Sequence, residues 1–266
     1  MFAIQLRSLA WRTDLIFPAF DGEILDGGDH LVIRTPSNPG FYWGNFLLFE
    51  SPPRPADLER WPRLFAEEVG RPPTVRHQAF GWDSPEGDVG AAQAFAALGF
   101  HVLRSSVLTA SAVTPPPHFS PAIAVRPLET EDEWRWATEN QIACRDPEHD
   151  EAAYRVFKEA QMERYRAMAR AGHGAWYGAF EGEGLVADLG LYRGGELARF
   201  QSVETHPQHR CRGYAGALVY HAARHALGQP GVARLVLVAD AGSPAERLYR
   251  SVGFQPTERA AALERW

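Results

Sequence analysis

The feature that most constrains the fold of this 266-residue chain is a proline-rich segment near its middle. Residues 108–122 read LTASAVTPPPHFSPA, with three consecutive prolines at positions 115–117. Proline lacks a backbone N–H and fixes φ, so this run cannot lie inside a helix or a central strand and favours an extended conformation. The sequence therefore predicts domains at residues 1–110 and 122–266, joined by a linker at residues 111–121.

Composition narrows the class of protein. Hydrophobic residues make up 45% of the chain and charged residues 23%, which is ordinary for a globular protein. No apolar run approaches the ~20 residues of a membrane helix, and the N-terminus lacks a signal-peptide core, so we expect a cytoplasmic protein with no membrane partner. A net charge of −6 argues against a nucleic-acid partner. The two cysteines, Cys144 and Cys211, and the ten histidines show no metal-ligand spacing.

The second half alternates between strand and helix patterns. A strand at residues 123–129 precedes a helix at residues 130–146, where Thr130 and Glu133 fit a capping box. A long helix should follow at residues 151–171. Further strands are predicted at 174–184, 185–205 with a hairpin turn at 194–195, 233–240 and from 254, with helices at 213–227 and 243–253. This order predicts an α/β fold with a mixed sheet covered by helices.

The first half carries a weaker pattern that partly repeats the second. It predicts strands at 30–36, 41–50 and 74–82 and a helix at 56–70. Residues 91–100, AAQAFAALGF, align with residues 245–254, AERLYRSVGF, so that Phe95 matches Tyr249. Helix stops of this kind are common, and chance is one explanation. We favour the other, a tandem duplication whose first copy is degenerate.

A loop at residues 208–216, QHRCRGYAG, joins a predicted strand to a predicted helix. The N–H groups at a helix start lack partners, and the helix dipole adds positive charge there, so an anion is favoured. Gly213 and Ala215 allow close approach, and Arg210 and Arg212 can add bidentate contacts. The loop lacks the Lys-Ser/Thr pair of a P-loop and the spacing of a dinucleotide site. These features predict a phosphate or pyrophosphate ligand without identifying the molecule.

Two motifs resemble the GNAT acyltransferase superfamily. RCRGYA at 210–215 is similar to its Arg/Gln-x-x-Gly-x-Gly/Ala signature, and AERLYRSVGF is similar to its later Ala-x-x-Leu-Tyr-x-x-x-Gly-Phe helix. The resemblance covers about residues 122–266 and implies an N-acetyltransferase that uses acetyl-CoA as co-substrate, without a metal, on a small-molecule amine. The loop would hold the CoA pyrophosphate and the preceding strand its pantetheine arm. The CoA-binding residues so implied are Val203, Glu204, Thr205, Arg210, Cys211, Arg212, Gly213, Tyr214, Ala215 and Gly216. Where the family often has Asn this chain has Gly242, and Ser243 beside it is a further candidate.

The resemblance also suggests catalytic residues. Tyr249 would protonate the departing CoA thiolate as a general acid, although it could equally be a core residue of an amphipathic helix. Phe95 at the matching position has no proton to give, so we expect one active site, in the second half. Glu204 is the candidate base; it could instead pair with an arginine, Glu196 could replace it, or a water chain could serve. No histidine pattern supports Cys211 as a nucleophile.

The acceptor cannot be identified from the sequence. The resemblance implies that its pocket is built by Thr130–Ala171, and the first half could contribute to it. The alternative to an enzyme is a non-catalytic acyl-CoA-binding regulatory protein, whose degenerate first half would serve as an effector or partner surface. If the two halves pack like a family dimer, the chain could be a monomer, and a homodimer is the other expectation.

Overall fold

The computed structural model describes residues 4–118 and 123–266. The chain divides into two compact units, the first reaching Val107 and also containing Thr257–Trp266, and the second spanning Leu108–Pro256. The sequence had placed residues 257–266 in the second domain, but their pairing partner is a strand of the first unit. Residues 111–118 of the predicted linker belong to the second unit, and residues 119–122 lie outside the described part of the chain.

The first unit begins with two short helices and contains a mixed sheet. Its elements are α1 (Leu9–Asp14), α2 (Pro18–Asp21), β1 (Glu23–Asp26), β2 (His30–Arg34), β3 (Phe46–Phe49), α3 (Asp57–Glu68), β4 (Gln78–Trp82) and β5 (His101–Ala110), with 3₁₀ helices at Tyr42–Gly44 and Ala92–Leu98. β1, β2 and β3 pair antiparallel, and β3 and β4 pair parallel. The last strand, β11 (Gln255–Arg265), runs antiparallel to β4, with Ala262 opposite Gly81.

Aromatic side chains fill the core of the first unit. Trp61 stacks on Phe49 with ring centroids 3.9 Å apart and lies 5.7 Å from Phe95. The strand at residues 46–49 is buried, whereas Phe41, Tyr42 and Trp43 of the predicted strand at 41–50 are half-buried. The segment with the sequence repeat forms a 3₁₀ helix rather than an α-helix, and Gly99 ends it with a left-handed φ of 81°.

The second unit follows the predicted order of elements. It contains β6 (Ile123–Pro127), α4 (Glu131–Ala143), α5 (Glu151–Arg170), β7 (Gly174–Glu181), β8 (Gly184–Gly194), β9 (Leu197–Thr205), α6 (Tyr214–Leu227), β10 (Arg234–Asp240) and α7 (Pro244–Ser251). β6 to β9 form an antiparallel meander, and β10 pairs parallel to β9. The capping box of Thr130 and Glu133 is present. The predicted mixed α/β fold is confirmed.

Small residues allow α6 to pack closely into the core of the second unit. Ala217, Ala222 and Ala223 are fully buried on this helix, together with Leu218 and Val219. Because alanine has high helix propensity and little bulk, this composition suits a helix lying against strands. The packing fixes the position of the α6 N-terminus, where the loop predicted to bind an anion ends. Among the helices of residues 4–118 and 123–266, none has the length and apolar character needed to cross a membrane.

Candidate active site

The loop between β9 and α6 adopts an unusual backbone conformation. After a 3₁₀ helix at Pro207–His209, Cys211 has a φ of 61° and Gly213 a φ of 80°. A Cβ at position 213 would lie 2.8 Å from the carbonyl oxygen of His118, so only glycine fits both the conformation and the space. Left-handed residues at alternate positions turn the chain sharply into α6 and form a concave stretch of backbone.

The backbone N–H groups of this concave stretch are candidate donors to a ligand. Within the described residues, no hydrogen-bond acceptor takes the backbone N–H groups of residues 211–216. The regular helical pattern starts after them, where the Ala217 N–H donates to the Gly213 carbonyl oxygen at 3.2 Å. Amides without an acceptor in residues 4–118 and 123–266, at the start of a 14-residue helix, favour an anion there.

Two exposed arginines flank these amides. Arg210 donates from Nε to the Thr205 carbonyl oxygen at 3.3 Å, and Arg212 lies 3.8 Å from a carboxylate oxygen of Glu181. The Tyr214 hydroxyl donates to the other oxygen of Glu181 at 2.7 Å, which anchors the first turn of α6 to β7. Neither guanidinium group is buried in a close ion pair, so both can turn towards a phosphate group.

β9 and β10 pair only at their beginnings. The register runs from Leu197 opposite Arg234 to Arg199 opposite Val236, and the structure gives no further pair between these two strands in the described residues. On its other edge β9 continues to pair with β8 as far as Thr205. The β10-facing edge of the later part of β9 therefore keeps backbone N–H and C=O groups that can bind an extended ligand.

The end of β9 is distorted and held by α4. Ser202 has a left-handed φ of 46°, and the pairing with β8 shifts register just after Asp188. Gln141 donates from Nε2 to the Ser202 carbonyl oxygen at 2.9 Å, and the Cys144 thiol donates to the Thr205 carbonyl oxygen at 3.3 Å. These two contacts fix the segment that carries the predicted base.

Glu204 lies on this segment and is half-buried. Burial raises the pKa of its carboxyl, while the nearby Lys158 ammonium, the Cys144 thiol and the Arg210 guanidinium oppose that rise. No arginine within the described residues forms a salt bridge with Glu204, so the expected alternative of a strand-edge ion pair is not seen. Glu196 lies exposed in the hairpin turn before β9, at the opposite end of that strand, and does not join this cluster.

Tyr249 lies on α7, buried to 6% exposure. Burial, and then the charge of Glu204, raise the pKa of its hydroxyl well above the usual value, so the group stays protonated at neutral pH. In the described part of the chain the hydroxyl has no hydrogen-bond partner. The electrostatic interaction between Tyr249 and Glu204 means that the two predicted catalytic side chains share one region of the second unit.

Ser243 has a structural role at the start of α7. Its hydroxyl oxygen accepts a hydrogen bond from the Glu246 N–H at 3.2 Å, and the neighbouring Gly242 N–H donates to the Glu246 carboxylate at 2.7 Å. The Ser243 hydroxyl keeps its own proton for a ligand, so its contact with CoA stays a prediction.

Sequence reasoning missed a buried polar cluster beside Glu204. Asp188 is completely buried and accepts from Asn140 Nδ2 at 2.6 Å, Gln141 Nε2 at 2.6 Å and Trp176 Nε1 at 3.0 Å. Burial raises the pKa of Asp188 to about 7. Lys158, which is also buried, is the only lysine in the chain. The sequence shows that Lys158 is the only lysine, but it does not show that this residue is buried.

The region that carries this site is similar to a known protein family. The family model described as Acetyltransferase (GNAT) family matches residues 132–254. No curated protein matches the chain significantly. Among solved structures, a GCN5-related N-acetyltransferase from Kribbella flavida has a TM-score of 0.62 at 17% identity, covering 96% of this chain and 93% of its own.

Two further solved structures are similar over most of the chain. A functionally unknown conserved protein from Staphylococcus epidermidis has a TM-score of 0.69 at 12% identity and covers 92% of this chain and 94% of its own. A tandem GNAT protein from the clavulanic acid biosynthesis pathway has a TM-score of 0.54 at 14% identity and covers 95% of this chain and 86% of its own. Likeness at these identities concerns the fold, and it fits two GNAT-like domains.

Proposed function

Because residues 132–254 form a domain of the acetyltransferase (GNAT) family, we propose that the second unit transfers an acetyl group from acetyl-CoA to the amine of a small molecule. The observation that carries the proposal is the row of N–H groups at residues 211–216, which have no acceptor among the described residues and lie at the head of α6, after the part of β9 that does not pair with β10. An anionic group and an extended arm, attached to each other, match these two neighbouring features.

Coenzyme A fits the residues present. The N–H groups of residues 211–216 and the side chains of Arg210 and Arg212 would hold its pyrophosphate. The unpaired edge of Val203, Glu204 and Thr205 would hydrogen-bond its amide-containing arm. The thioester would then lie near Glu204, with Tyr249 available on α7.

The proposed reaction needs an amine, a base and an acid. Glu204 takes a proton from the acceptor amine, directly or through water, and the neutral amine attacks the thioester carbonyl carbon. Backbone N–H groups along the free edge of β9 can stabilise the oxyanion that forms. The C–S bond then breaks, and Tyr249 gives its proton to the departing sulfur, which leaves an N-acetyl product and free CoA.

Calorimetry with acetyl-CoA and with CoA tests the binding step. We expect one site per chain with sub-millimolar affinity, and a Gly213→Val variant should lose it because the added side chain meets the His118 carbonyl oxygen. Gly195→Ala is the matched control, since Gly195 also has a positive φ of 63° but nothing lies within 4 Å of an added Cβ. No heat of binding at millimolar ligand would contradict the proposal.

Release of free thiol from acetyl-CoA in the presence of a panel of small amines tests the chemical step. Turnover with any of them supports acetyl transfer. Tight binding of acetyl-CoA with no turnover across the panel would favour the non-catalytic acyl-CoA-binding alternative.

A further inference from the structure

The chain's only lysine lies in the interior of the second unit. Lys158, on α5, is 5% exposed. Burying an ammonium group costs free energy unless charges or hydrogen bonds compensate it. Yet no carboxylate among the described residues lies within 4.0 Å of its Nζ. The compensation therefore comes from other groups.

Neutral groups surround the Lys158 ammonium. Nζ donates to Gln161 Oε1 at 2.8 Å and to Gln141 Oε1 at 3.4 Å. The rings of Tyr154 and Phe157 lie with their centroids 5.5 Å and 5.0 Å from Nζ. Amide oxygens and aromatic faces stabilise a cation without neutralising it, so its charge can act on an anion further away.

Gln141 connects Lys158 to the distorted end of β9. Since an ammonium group only donates hydrogen bonds, the Gln141 amide must present its oxygen to Lys158. This orientation points Nε2 at its two acceptors, Asp188 Oδ1 at 2.6 Å and the Ser202 carbonyl oxygen at 2.9 Å. Lys158 thus fixes the side chain that supports the left-handed residue two positions before Glu204.

Lys158 and Glu204 also interact through their charges. Burial lowers the pKa of Lys158 to about 8, and Glu204 is the largest influence in the opposite direction. Burial raises the pKa of Glu204, and Lys158 is the largest influence that opposes it. The titratable or charged groups that face Glu204 come from five helices, strands or loops: Cys144, Tyr154, Lys158, Asp188, Arg210 and Tyr249.

We propose that Lys158 is a positioning residue for Glu204: through Gln141 it holds the bulged end of β9 in shape, and its ammonium group favours the ionised form of the carboxylate. This inference rests on the proposed function, because it concerns the base that the proposed reaction needs. The electrostatic coupling itself can be measured without any turnover.

Nuclear magnetic resonance tests the coupling directly. A chain labelled with ε-¹³C-lysine contains one lysine ε-carbon, so its chemical shift against pH titrates Lys158 alone. In Glu204→Gln the midpoint should fall, by roughly one pH unit, because the neighbouring negative charge is lost. An unchanged midpoint in a folded Glu204→Gln variant would overturn the proposal.

The pH dependence of kcat/KM tests the consequence for catalysis. In Lys158→Met the carboxylate loses its opposing charge, so its pKa rises and the acidic limb of the profile should move up by roughly one pH unit. Arg155→Met removes an exposed cation from the same helix, one that pairs with Glu139, and should leave the limb in place. An acidic limb that stays put in Lys158→Met would contradict the proposal.

The two arms separate the inference from the proposed function. Absence of acetyl-CoA binding with a shifted lysine midpoint would remove the function and keep the charge coupling. Binding and turnover with an unshifted midpoint would keep the function and remove the role of Lys158. Should Lys158→Met fail to fold, the titration of the wild-type and Glu204→Gln chains still decides.

Discussion

The two units share a strand–loop–helix–strand arrangement, but the loops in this arrangement differ in the backbone N–H groups that they offer. In each, a strand leads through a loop into a helix and then to a parallel neighbouring strand, as β3, α3 and β4 in the first unit and β9, α6 and β10 in the second. The loop after β3, residues 50–56, contains Pro52, Pro53 and Pro55, which have no N–H to offer. The loop after β9 instead presents N–H groups that no acceptor in the described ranges takes.

The side chains around Phe95 in the first unit and around Tyr249 in the second unit also differ. In the first unit, Phe95 is completely buried among aromatic rings, including those of Trp61 and Phe100. The matching residue in the second unit is Tyr249, which interacts electrostatically with Glu204. The surroundings of Phe95 are aromatic and closely packed, whereas those of Tyr249 include the carboxylate of Glu204. This local contrast supports our proposal that the first unit is a degenerate copy.

The largest effect on activity should come from replacing Tyr249 by phenylalanine, the residue type at the matching position of the first unit. Tyr249→Phe removes the proposed proton donor with little change in shape, so kcat should fall by about 10²–10⁴-fold while acetyl-CoA affinity stays the same. Steady-state kinetics combined with calorimetry measures the two quantities separately. Unchanged turnover would remove the general-acid role of Tyr249.

A second substitution places a proline after β9, as in the proline-containing loop after β3 of the first unit. Ala215→Pro removes one of the free N–H groups in the first turn of α6, where proline is tolerated. Losing one hydrogen bond to a charged group should weaken CoA binding roughly 10–100-fold. Ala215→Gly, which keeps the N–H, is the control and should bind nearly as well. Equal affinities of the proline and glycine variants would contradict a role for this amide.

The reverse exchange should cost stability without creating activity. Phe95→Tyr places a hydroxyl among buried aromatic rings and should lower the free energy of unfolding by about 1–3 kcal/mol. Urea denaturation followed by tryptophan fluorescence measures the change. In the Tyr249→Phe background, recovery of acetyl transfer by Phe95→Tyr would show that the first unit can also support the reaction.

The smallest expected effect is a local change in hydrogen exchange. Saturating CoA should slow exchange of the amides at residues 211–216 and leave those at residues 50–56 unchanged. Mass spectrometry of peptic peptides resolves the two segments. Equal protection of both loops would remove the distinction between the units.

Part of this structure could be predicted from local sequence signals. The capping box at Thr130, the helix start after Gly213 and the glycine stops at Gly99 and Gly253 depend on residues that are neighbours in the chain. Such signals combine turn chemistry with hydrophobic periodicity, both of which act over a few residues. The prediction of an anion site at residues 208–216 depends on signals of the same kind.

Other features needed contacts between residues far apart in sequence. The pairing of β11 with β4 places residues 257–266 in the first unit, and no local pattern shows which strand an edge will accept. Asp188, Gln141 and Lys158 come from three different elements. Their hydrogen bonds exist only because helix packing and strand register bring those elements together.

The sequence by itself determined where the helices of the second unit begin and predicted one loop as an anion site, because proline, glycine and capping residues act on the backbone beside them. Only the tertiary structure decided which charges are buried around Glu204. Burial and electrostatic coupling depend on every element packed around a side chain, and the sole lysine acquired a role only when α5 carried it into that interior.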